Sequence, residues 1–281
     1  MSIRIATDST CDLPLQVIED YGISIIPCYV NFGEKSYLDN LEMTRSEFYT
    51  RLNNPDPFPK TSAPGVGQFI KFYSELATQG VSEIISIHIH TGLSVMANAA
   101  RLAAEAVKTA KVTVVEVGQV ALTLGFLVAA AARAAMQGKS ADEIVSMLHE
   151  KDERTYLFAA LDTLEFLKHS GRVPSLVASL ADIFHVKPVL QLHQGVITMD
   201  KIRTASKSVE WLIERVKRFG SLEELGVVHT NASEKAKMFL EDIKKSLAFN
   251  GEIWIEEATP VLGVHVGPGA IGLACVVADH G

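Results

Sequence analysis

Residues 82–94 read Ser-Glu-Ile-Ile-Ser-Ile-His-Ile-His-Thr-Gly-Leu-Ser, and an Ala-rich segment of residues 95–110 follows directly. Ile85, Ile87 and Ile89 alternate with polar residues, which is the period of a β-strand with one polar face. The segment after them repeats its apolar residues at helical spacing, so the stretch predicts a strand–turn–helix unit. Ser94 stands at the junction, where the unpartnered N–H groups of a helix N-terminus can hold an anion.

The same arrangement is predicted about 30 residues earlier. Residues 60–65 read Lys-Thr-Ser-Ala-Pro-Gly and run into a second helical pattern that begins at Val66. Thr61 and Ser62 are therefore expected just ahead of a helix N-terminus, in a position to bind a carboxylate or phosphate. The alternative is that these hydroxyls, and that of Ser94, only cap their helices. The sequence leaves both interpretations open.

Strands and helices alternate through the first part of the chain, which predicts α/β architecture with a mostly parallel sheet in the N-terminal domain. We expect two α/β domains, at residues 1–160 and 161–281, with an approximate boundary; a crossing of the chain between the domains stays open. A single strand is predicted at residues 23–32 and a polar turn at 33–40. In the C-terminal domain, a helix is predicted at 176–184 and a hairpin at 187–202.

The composition excludes several classes of function. The 281 residues carry a net charge of −7 and no basic run, which disfavours nucleic acid and anionic membrane surfaces as partners. The three cysteines lack C-x-x-C spacing and predict neither a disulfide framework nor a zinc site. The N-terminus has no signal-peptide pattern, and the apolar run 120–132 is too short to span a bilayer. We therefore expect a cytoplasmic protein without an integral membrane segment.

Two histidine-containing segments are candidates for a site. His88 and His90 lie two residues apart without carboxylates at matching spacing, which favours hydrogen-bonded core or pocket histidines over a metal site. His265 lies in a glycine-dense segment, where Gly267 and Gly269 indicate backbone that passes close to another group. The chain has no Walker A motif, no G-x-G-x-x-G after a strand and no G-x-S-x-G. These absences disfavour nucleotide binding and an ordinary α/β hydrolase.

Six short segments in this order resemble the DegV family of fatty-acid-binding proteins, which includes the FakB subunit of bacterial fatty acid kinase. The resemblance covers essentially the whole chain. Its markers are residues 7–13 (Thr-Asp-Ser-Thr-Cys-Asp-Leu), 60–64 (Lys-Thr-Ser-Ala-Pro), 92–94 (Gly-Leu-Ser), 163–167 with 170–172 (Thr-Leu-Glu-Phe-Leu and Ser-Gly-Arg), 187–188 (Lys-Pro) and 265–269 (His-Val-Gly-Pro-Gly). The chain departs from the family pattern at Val95-Met96, Val117-Gly118 and Ser170, near the expected head group and tail.

The resemblance implies a lipid between two α/β domains and a non-catalytic role. The carboxylate of a long-chain fatty acid would be held by the hydroxyls of Thr61 and Ser94, with Ser62 beside them and His265 close by. No cofactor or metal is implied. The protein would present the acid to an ATP-using kinase subunit that makes acyl phosphate for phospholipid synthesis. Arg172 and Arg203 would contact that kinase or support the head group.

Physical chemistry fits this expectation, because a fatty acid needs a few polar donors and a dry apolar tunnel. The helices predicted at residues 93–107 and 122–135 can line such a tunnel, although they can equally be ordinary core. Two other functions stay open: a kinase or hydrolase subunit that uses His265 on a small polar substrate, and a ligand-sensing interaction protein. An apolar cavity would favour the carrier, and a small polar pocket the enzyme.

Overall fold

Thirteen strands build three sheets in the part of the chain that the computed structural model describes, residues 3–173 and 186–279. The strands are β1 (Ile3–Asp8), β2 (Ser24–Ile26), β3 (Tyr29–Phe32), β4 (Lys35–Leu38), β5 (Lys60–Ser62), β6 (Glu83–Ile89), β7 (Lys111–Val117), β8 (Thr155–Ala160), β9 (Lys187–His193), β10 (Val196–Ile202), β11 (Leu222–His229), β12 (Ile253–Glu257) and β13 (Ile271–Val277). The helices of the same ranges are α1 (Leu15–Asp20), α2 (Arg45–Leu52), α3 (Val66–Thr78), α4 (Met96–Ala106), α5 (Leu122–Met136), α6 (Ala141–Glu153), α7 (Glu165–Ser170), α8 (Ala205–Lys217), α9 (Ser233–Ser246) and α10 (Pro260–Val266).

The predicted α/β class and the parallel N-terminal sheet are confirmed. Strands β2, β1, β6 and β7 lie side by side in that order, and every pair is parallel. The second sheet has the order β10-β9-β8-β13-β11-β12 and is mixed, since only β11 and β12 are parallel. The predicted hairpin at 187–202 is its β9–β10 edge. The helix predicted at 176–184 lies outside the described residues.

Two local predictions in the N-terminal half were wrong. The single strand expected at residues 23–32 is divided into β2 and β3, which belong to different sheets. Pro27 lies at the break, and a proline has no N–H to contribute to a ladder. The polar turn expected at 33–40 contains β4, which pairs with β3 in a small antiparallel sheet completed by β5.

The pairing of β8 bears on the division of the chain. β8 lies between β9 and β13 in the six-stranded sheet, although it precedes residue 161. We therefore propose a domain boundary before Thr155 rather than after residue 160. The chain crosses back at its end, because α10 packs against α2 and β3 of the N-terminal half.

Helix α5 lies between the two large sheets and contacts β1 and β6 on one side and β8, β11 and β13 on the other. Twelve of its fifteen residues are buried, as expected for a helix that is apolar on all faces. Close approach requires a residue without a side chain at Gly125, where a Cβ atom would lie 2.5 Å from the carbonyl oxygen of Cys11. The sequence prediction of a buried helix in this region is confirmed.

The polar face of β6 is buried in a continuous hydrogen-bond chain. Tyr73 donates to the Oγ of Ser86 (2.9 Å), which bonds Nε2 of His88 (2.8 Å), and Nδ1 of His88 bonds Oδ2 of Asp8 (2.7 Å). Both Asp8 and His88 are fully enclosed. His88 is therefore a hydrogen-bonded core histidine, as the sequence favoured, and its partners satisfy polar groups that would otherwise be costly to bury.

Replacing Gly125 tests the packing of α5. Gly125→Ala should lower the free energy of unfolding by about 1–3 kcal/mol, because the added methyl group meets backbone that cannot move aside. Gly67→Ala is the matched control: Gly67 is also helical, in α3, and a Cβ there meets nothing within 4 Å. Helix propensity alone should make the control more stable by up to about 1 kcal/mol. Urea unfolding of both variants measures the change in the free energy of unfolding. A Gly125→Ala variant that is more stable than wild type would contradict the close approach of α5 to Cys11.

Candidate functional site

A cavity of about 170 Å³ lies between the elements of the two halves of the chain. Its walls are mostly apolar, and the strands, helices and loops of both halves contribute to them. Five of the six residues proposed from the sequence line this one cavity: Thr61, Ser62, Ser94, Arg172 and His265. Arg203 is exposed and precedes α8, and it is not among the described residues that line the cavity.

Thr61 reaches the cavity from a strand rather than from a helix end. Residues 60–62 form β5, where Thr61 pairs with Val30 of β3. Helix α3 begins only at Val66, after the N-cap residue Gly65. Capping of α3 by Thr61 or Ser62 is therefore wrong, whereas anion binding by these hydroxyls stays a prediction that no longer rests on the helix N-terminus. Pro64 lies between the hydroxyls and the helix and disfavours helical backbone for the residue before it.

Ser62 and Ser94 differ in what their hydroxyls already bind. The side-chain amide of Asn31 donates to Ser62 Oγ over 3.2 Å on the exposed part of the small sheet. Ser94 is partly buried, and its Oγ accepts the N–H of Met96 at 3.3 Å, at the start of α4. Ser94 therefore keeps its hydroxyl hydrogen for a further acceptor, and its predicted place at a strand-to-helix junction is confirmed.

His265 lies in the last turn of α10, whereas the sequence suggested a glycine-rich loop. The predicted close approach of the following glycines is confirmed. A Cβ atom on Gly267 would lie 2.2 Å from the Phe166 ring, and one on Gly269 would lie 2.2 Å from the Asp162 carboxylate. Both glycines have positive φ, at 72° and 86°. The glycines therefore end the helix and lead the chain past α7 into β13.

The N-terminus of α10 is held by the other half of the chain. Asp12 accepts the N–H of Thr259 (2.9 Å), and Asp39 accepts the N–H of Val261 (3.2 Å). The hydroxyl of Tyr49 donates to the carbonyl of Ala258 at 3.0 Å. These bonds satisfy backbone groups that a helix end leaves without intrahelical partners. They fix the position of α10, and with it the imidazole of His265.

Thr61 and His265, 204 residues apart, form the polar centre of the cavity. The Oγ1 of Thr61 lies 3.0 Å from Nε2 of His265. Nδ1 of His265 is enclosed and has no hydrogen-bond partner in the described part of the chain. In the tautomer with hydrogen on Nε2, the imidazole donates to Thr61, and the Thr61 hydroxyl hydrogen remains for a ligand.

Burial, together with the positive charge of Arg172, lowers the pKa of His265 to about 4. The imidazole is therefore neutral at pH 7 when the cavity holds no anion. Arg172 is exposed and also lines the cavity, so its guanidinium stands at the cavity mouth. An anion placed beside these two side chains would favour the protonated imidazole and would itself be stabilised by the arginine.

The sequence missed a large part of the apolar wall. Strands β8, β9 and β10 supply Leu157, Ala159, Leu190, Leu192 and Ile197. In β8 and β9 the signal was a spacing of two residues, which puts both members of each pair on the same face of the strand. Of the two helices expected to line a tunnel, α4 contributes Met96 with Leu93 just before it. Among the described residues that line the cavity, none belongs to α5, because this helix is covered by the two large sheets.

Two other predictions concern membranes and metals. Among the described residues, none of the helices combines the length and the apolar character that crossing a bilayer requires. In the same ranges, no three His, Cys, Asp or Glu residues come together in a way that could hold a metal ion. His90 is half-exposed and lies 3.8 Å from Glu116, away from the lining of the cavity.

Fold and cavity together define an α/β protein with a mostly apolar internal cavity. The family model described as "uncharacterised protein, DegV family" matches residues 2–278, and the chain belongs to the DegV family. A DegV domain-containing protein of Staphylococcus aureus is 33% identical over 276 residues, 96% of each chain.

Two solved structures are similar over nearly the whole chain. One, described as DegV, a fatty acid binding protein from Bacillus subtilis, is 29% identical with a TM-score of 0.86 over 98% of this chain and 99% of that one. The other, described as a stearic acid-binding protein from Eubacterium ventriosum, is 26% identical with a TM-score of 0.88 over 98% of each chain.

The lowered pKa of His265 predicts a specific pH dependence. Between pH 6.5 and 4 the unfolded chain binds a proton that the folded chain does not, so stability is lost as the pH falls. For His265 this loss should be about 2 kcal/mol between pH 7 and pH 5, and His265→Gln should abolish it. Asp12 and Asp39, whose pKa values are raised to about 7 by burial, act in the opposite direction.

The comparison is therefore made between the two proteins at each pH, because the aspartates are common to both. Urea unfolding of delipidated wild type and His265→Gln at pH 7 and pH 5 gives the four free energies. An equal change with pH in the two proteins would show that His265 is not held neutral in the folded state.

Proposed function

We propose that this protein binds one long-chain fatty acid in the cavity and does not modify it. The observation that carries the proposal is the combination of mostly apolar walls with one polar cluster, Thr61, Ser94, Arg172 and His265. An amphiphile with a single charged end and a long apolar tail matches that division. The descriptions of related structures as fatty acid and stearic acid binding proteins support the same ligand class.

The head group would take its hydrogen bonds from three elements. Thr61 on β5 and Ser94 before α4 each have a hydroxyl hydrogen to donate, and His265 on α10 can donate when it is protonated. Charge-assisted hydrogen bonds of this kind are shorter and stronger than neutral ones. Arg172 would add a positive charge at the mouth. Ser62, which already accepts a hydrogen bond from Asn31, would support the cluster from the edge.

The tail would supply most of the affinity. Each buried CH₂ contributes about 0.8 kcal/mol, so a chain of about 16 carbons can contribute on the order of 10 kcal/mol before ordering costs. The strand residues of β8 to β10 and the start of α4 would contact the tail. A small polar substrate would leave these walls without a partner, so the alternative of a kinase or hydrolase subunit using His265 is less well supported.

We further propose that the bound acid is presented to an ATP-dependent fatty acid kinase subunit in the cytoplasm, as the family resemblance implies. The product would be an acyl phosphate, which can enter phospholipid synthesis. The position of Arg172 supports this role, because it is exposed to a partner and also reaches the cavity. Exposed Arg203 would act only in the encounter with the kinase.

Substitutions of the two hydroxyls test the head-group site. Ser94→Ala should weaken palmitate binding by about 10–150-fold, because a hydrogen bond to a charged group contributes about 1.5–3 kcal/mol. Thr61→Val should act similarly and should also remove the hydrogen bond that Thr61 makes with the His265 imidazole. Calorimetric titration of delipidated protein measures the affinity, and thermal unfolding of the same variants measures stability.

Ser36→Ala is the control, since Ser36 is an exposed residue of β4 in the same small sheet as Thr61. It should bind palmitate like the wild type. A Thr61→Val/Ser94→Ala double variant that melts at a lower temperature but binds palmitate as tightly as wild type would reduce both hydroxyls to structural roles. Failure of the wild type to bind C14 to C18 acids would overturn the function itself.

The two arginines give a separate test of the kinase step. With palmitate saturating and a cognate kinase present, Arg172→Ala should slow acyl-phosphate formation by about tenfold or more, because it removes a charge at the cavity mouth. Its lipid content should change little, since the hydroxyls remain. Arg203→Ala should change the rate less and in a salt-dependent way. Loss of lipid with an unchanged rate at saturation would assign Arg172 to lipid retention instead.

A further inference from the structure

A second pocket, of about 480 Å³, lies at the N-terminus of α10, where Thr259 is among its lining residues. The acidic side chains of Asp12, Asp39 and Glu256 line it together with Arg45. None of these four residues lines the first cavity, and the proposed function does not use this pocket.

The two aspartates of this pocket are only partly satisfied. Asp12 and Asp39 are each 1% exposed. One oxygen of each accepts a backbone N–H at the start of α10. The second oxygen, Oδ2 in both, is enclosed and has no hydrogen-bond partner within residues 3–173 and 186–279. A buried carboxylate oxygen without a donor is costly, so two of them in one pocket indicate a missing donor.

The charges of the pocket are unbalanced when its carboxyl groups are ionised. Arg45 lies 3.6 Å from Glu256, which leaves one positive charge against three carboxyl groups. Burial raises the pKa of both aspartates to about 7, while Arg45 acts to lower it. The charge of Asp39 raises the pKa of Asp12, and the charge of Asp8 raises that of Asp39, which a hydrogen bond from the Ser9 side chain acts to lower. A positive charge in the pocket would therefore stabilise the ionised pair.

The walls of the pocket identify the kind of cation. The remaining lining is largely apolar, and its outer members Leu15 and Leu41 are 70% and 71% exposed. Side chains able to hold a metal ion do not gather in threes in the described residues, and the volume far exceeds one water molecule's share of about 30 Å³. A bare ion would make no contact with the apolar side chains of the lining.

We propose that this pocket binds a small organic cation, a primary ammonium or guanidinium group carried on an apolar body. The cationic head pairs electrostatically with the carboxylate groups of Asp12 and Asp39, and the body lies against Leu15 and Leu41. Because the same carboxylates accept the N–H groups of Thr259 and Val261, the occupant is joined through two aspartates to the helix that carries His265.

The test compares n-hexylamine with 1-hexanol, which has nearly the same shape and no charge. Calorimetric titration at pH 8 should show saturable one-to-one binding of hexylamine, with hexanol weaker by about tenfold or more. Asp12→Asn and Asp39→Asn should each weaken hexylamine by about tenfold. Asparagine retains an oxygen for the backbone N–H, so α10 keeps its anchor. Asp242→Asn, the same change at an exposed position of α9, should have no effect.

Leu41→Ser provides a variant that does not depend on the buried pair, since Leu41 is exposed and its replacement leaves the core intact. It should weaken hexylamine severalfold while the melting temperature stays unchanged. Equal binding of hexylamine and hexanol would overturn the proposal, as would hexylamine affinity that is unaffected in both aspartate variants. One-to-one binding of Mn²⁺ that displaces hexylamine would make the pocket a metal site and would also overturn it. The affinity for fatty acid is measured in a separate titration with palmitate. The outcome with hexylamine therefore neither supports nor contradicts the proposed function.

Discussion

The burial of α5 on both sides is the constraint on which the rest of the structure depends. A helix that is apolar on all faces must be covered all round, and here the four-stranded parallel sheet and the six-stranded mixed sheet cover it. The sheets can approach it closely only because glycine stands at two contacts. A Cβ atom on Gly125 would meet the backbone of Cys11, and one on Gly226 would lie 2.4 Å from Leu122. The distance between the sheets, and so the space for ligands beside α5, follows from this packing.

The two pockets meet at a short helix that belongs to neither half alone. Helix α10 comes from the C-terminal part of the sequence, yet Asp12, Asp39 and Tyr49 hold its first turn. Its last turn delivers His265 to Thr61 in the first cavity. The carboxylates that line the second pocket are thus hydrogen-bonded to the first turn of the helix that carries the imidazole of the first cavity. A rigid connection of this kind keeps the polar centre in place without a ligand, which reduces the ordering cost of binding.

Buried polar groups divide into two kinds in this protein. The side chains of Tyr73, Ser86, His88 and Asp8 form a linear series of hydrogen bonds in which each side chain has a partner. This buried network stabilises the parallel sheet. The imidazole of His265 and the two aspartates at α10 each keep an atom without a partner among the described residues. Unsatisfied buried groups cost stability, so each of them calls for an explanation, and a ligand is the explanation proposed for these three. The contrast supports a structural role for His88 and agrees with the binding role proposed for His265.

The sequence by itself determined the α/β class, the parallel N-terminal sheet, the buried helix near residues 122–136 and five polar residues that line the cavity. These follow from periodicity, from hydroxyls near element ends and from the family resemblance, all of which are local or ordered along the chain. It failed where pairing partners decide the outcome: Thr61 lies on a strand because β3 is beside it, and His265 lies on a helix because Asp12 and Asp39 satisfy that helix's first turn.

Only the tertiary structure decided which of the apolar residues line the cavity and which fill the core. Strand residues such as Leu157 and Leu190 line the first cavity. Helix α5 is also apolar, but it is enclosed by the sheets. The reason is that the hydrophobic effect determines how much free energy is gained when a side chain is buried, but it has no direction and does not determine which neighbours cover that side chain. The second pocket was invisible in the sequence for the same reason, since Asp12 and Asp39 come together only through contacts with residues more than 200 positions away.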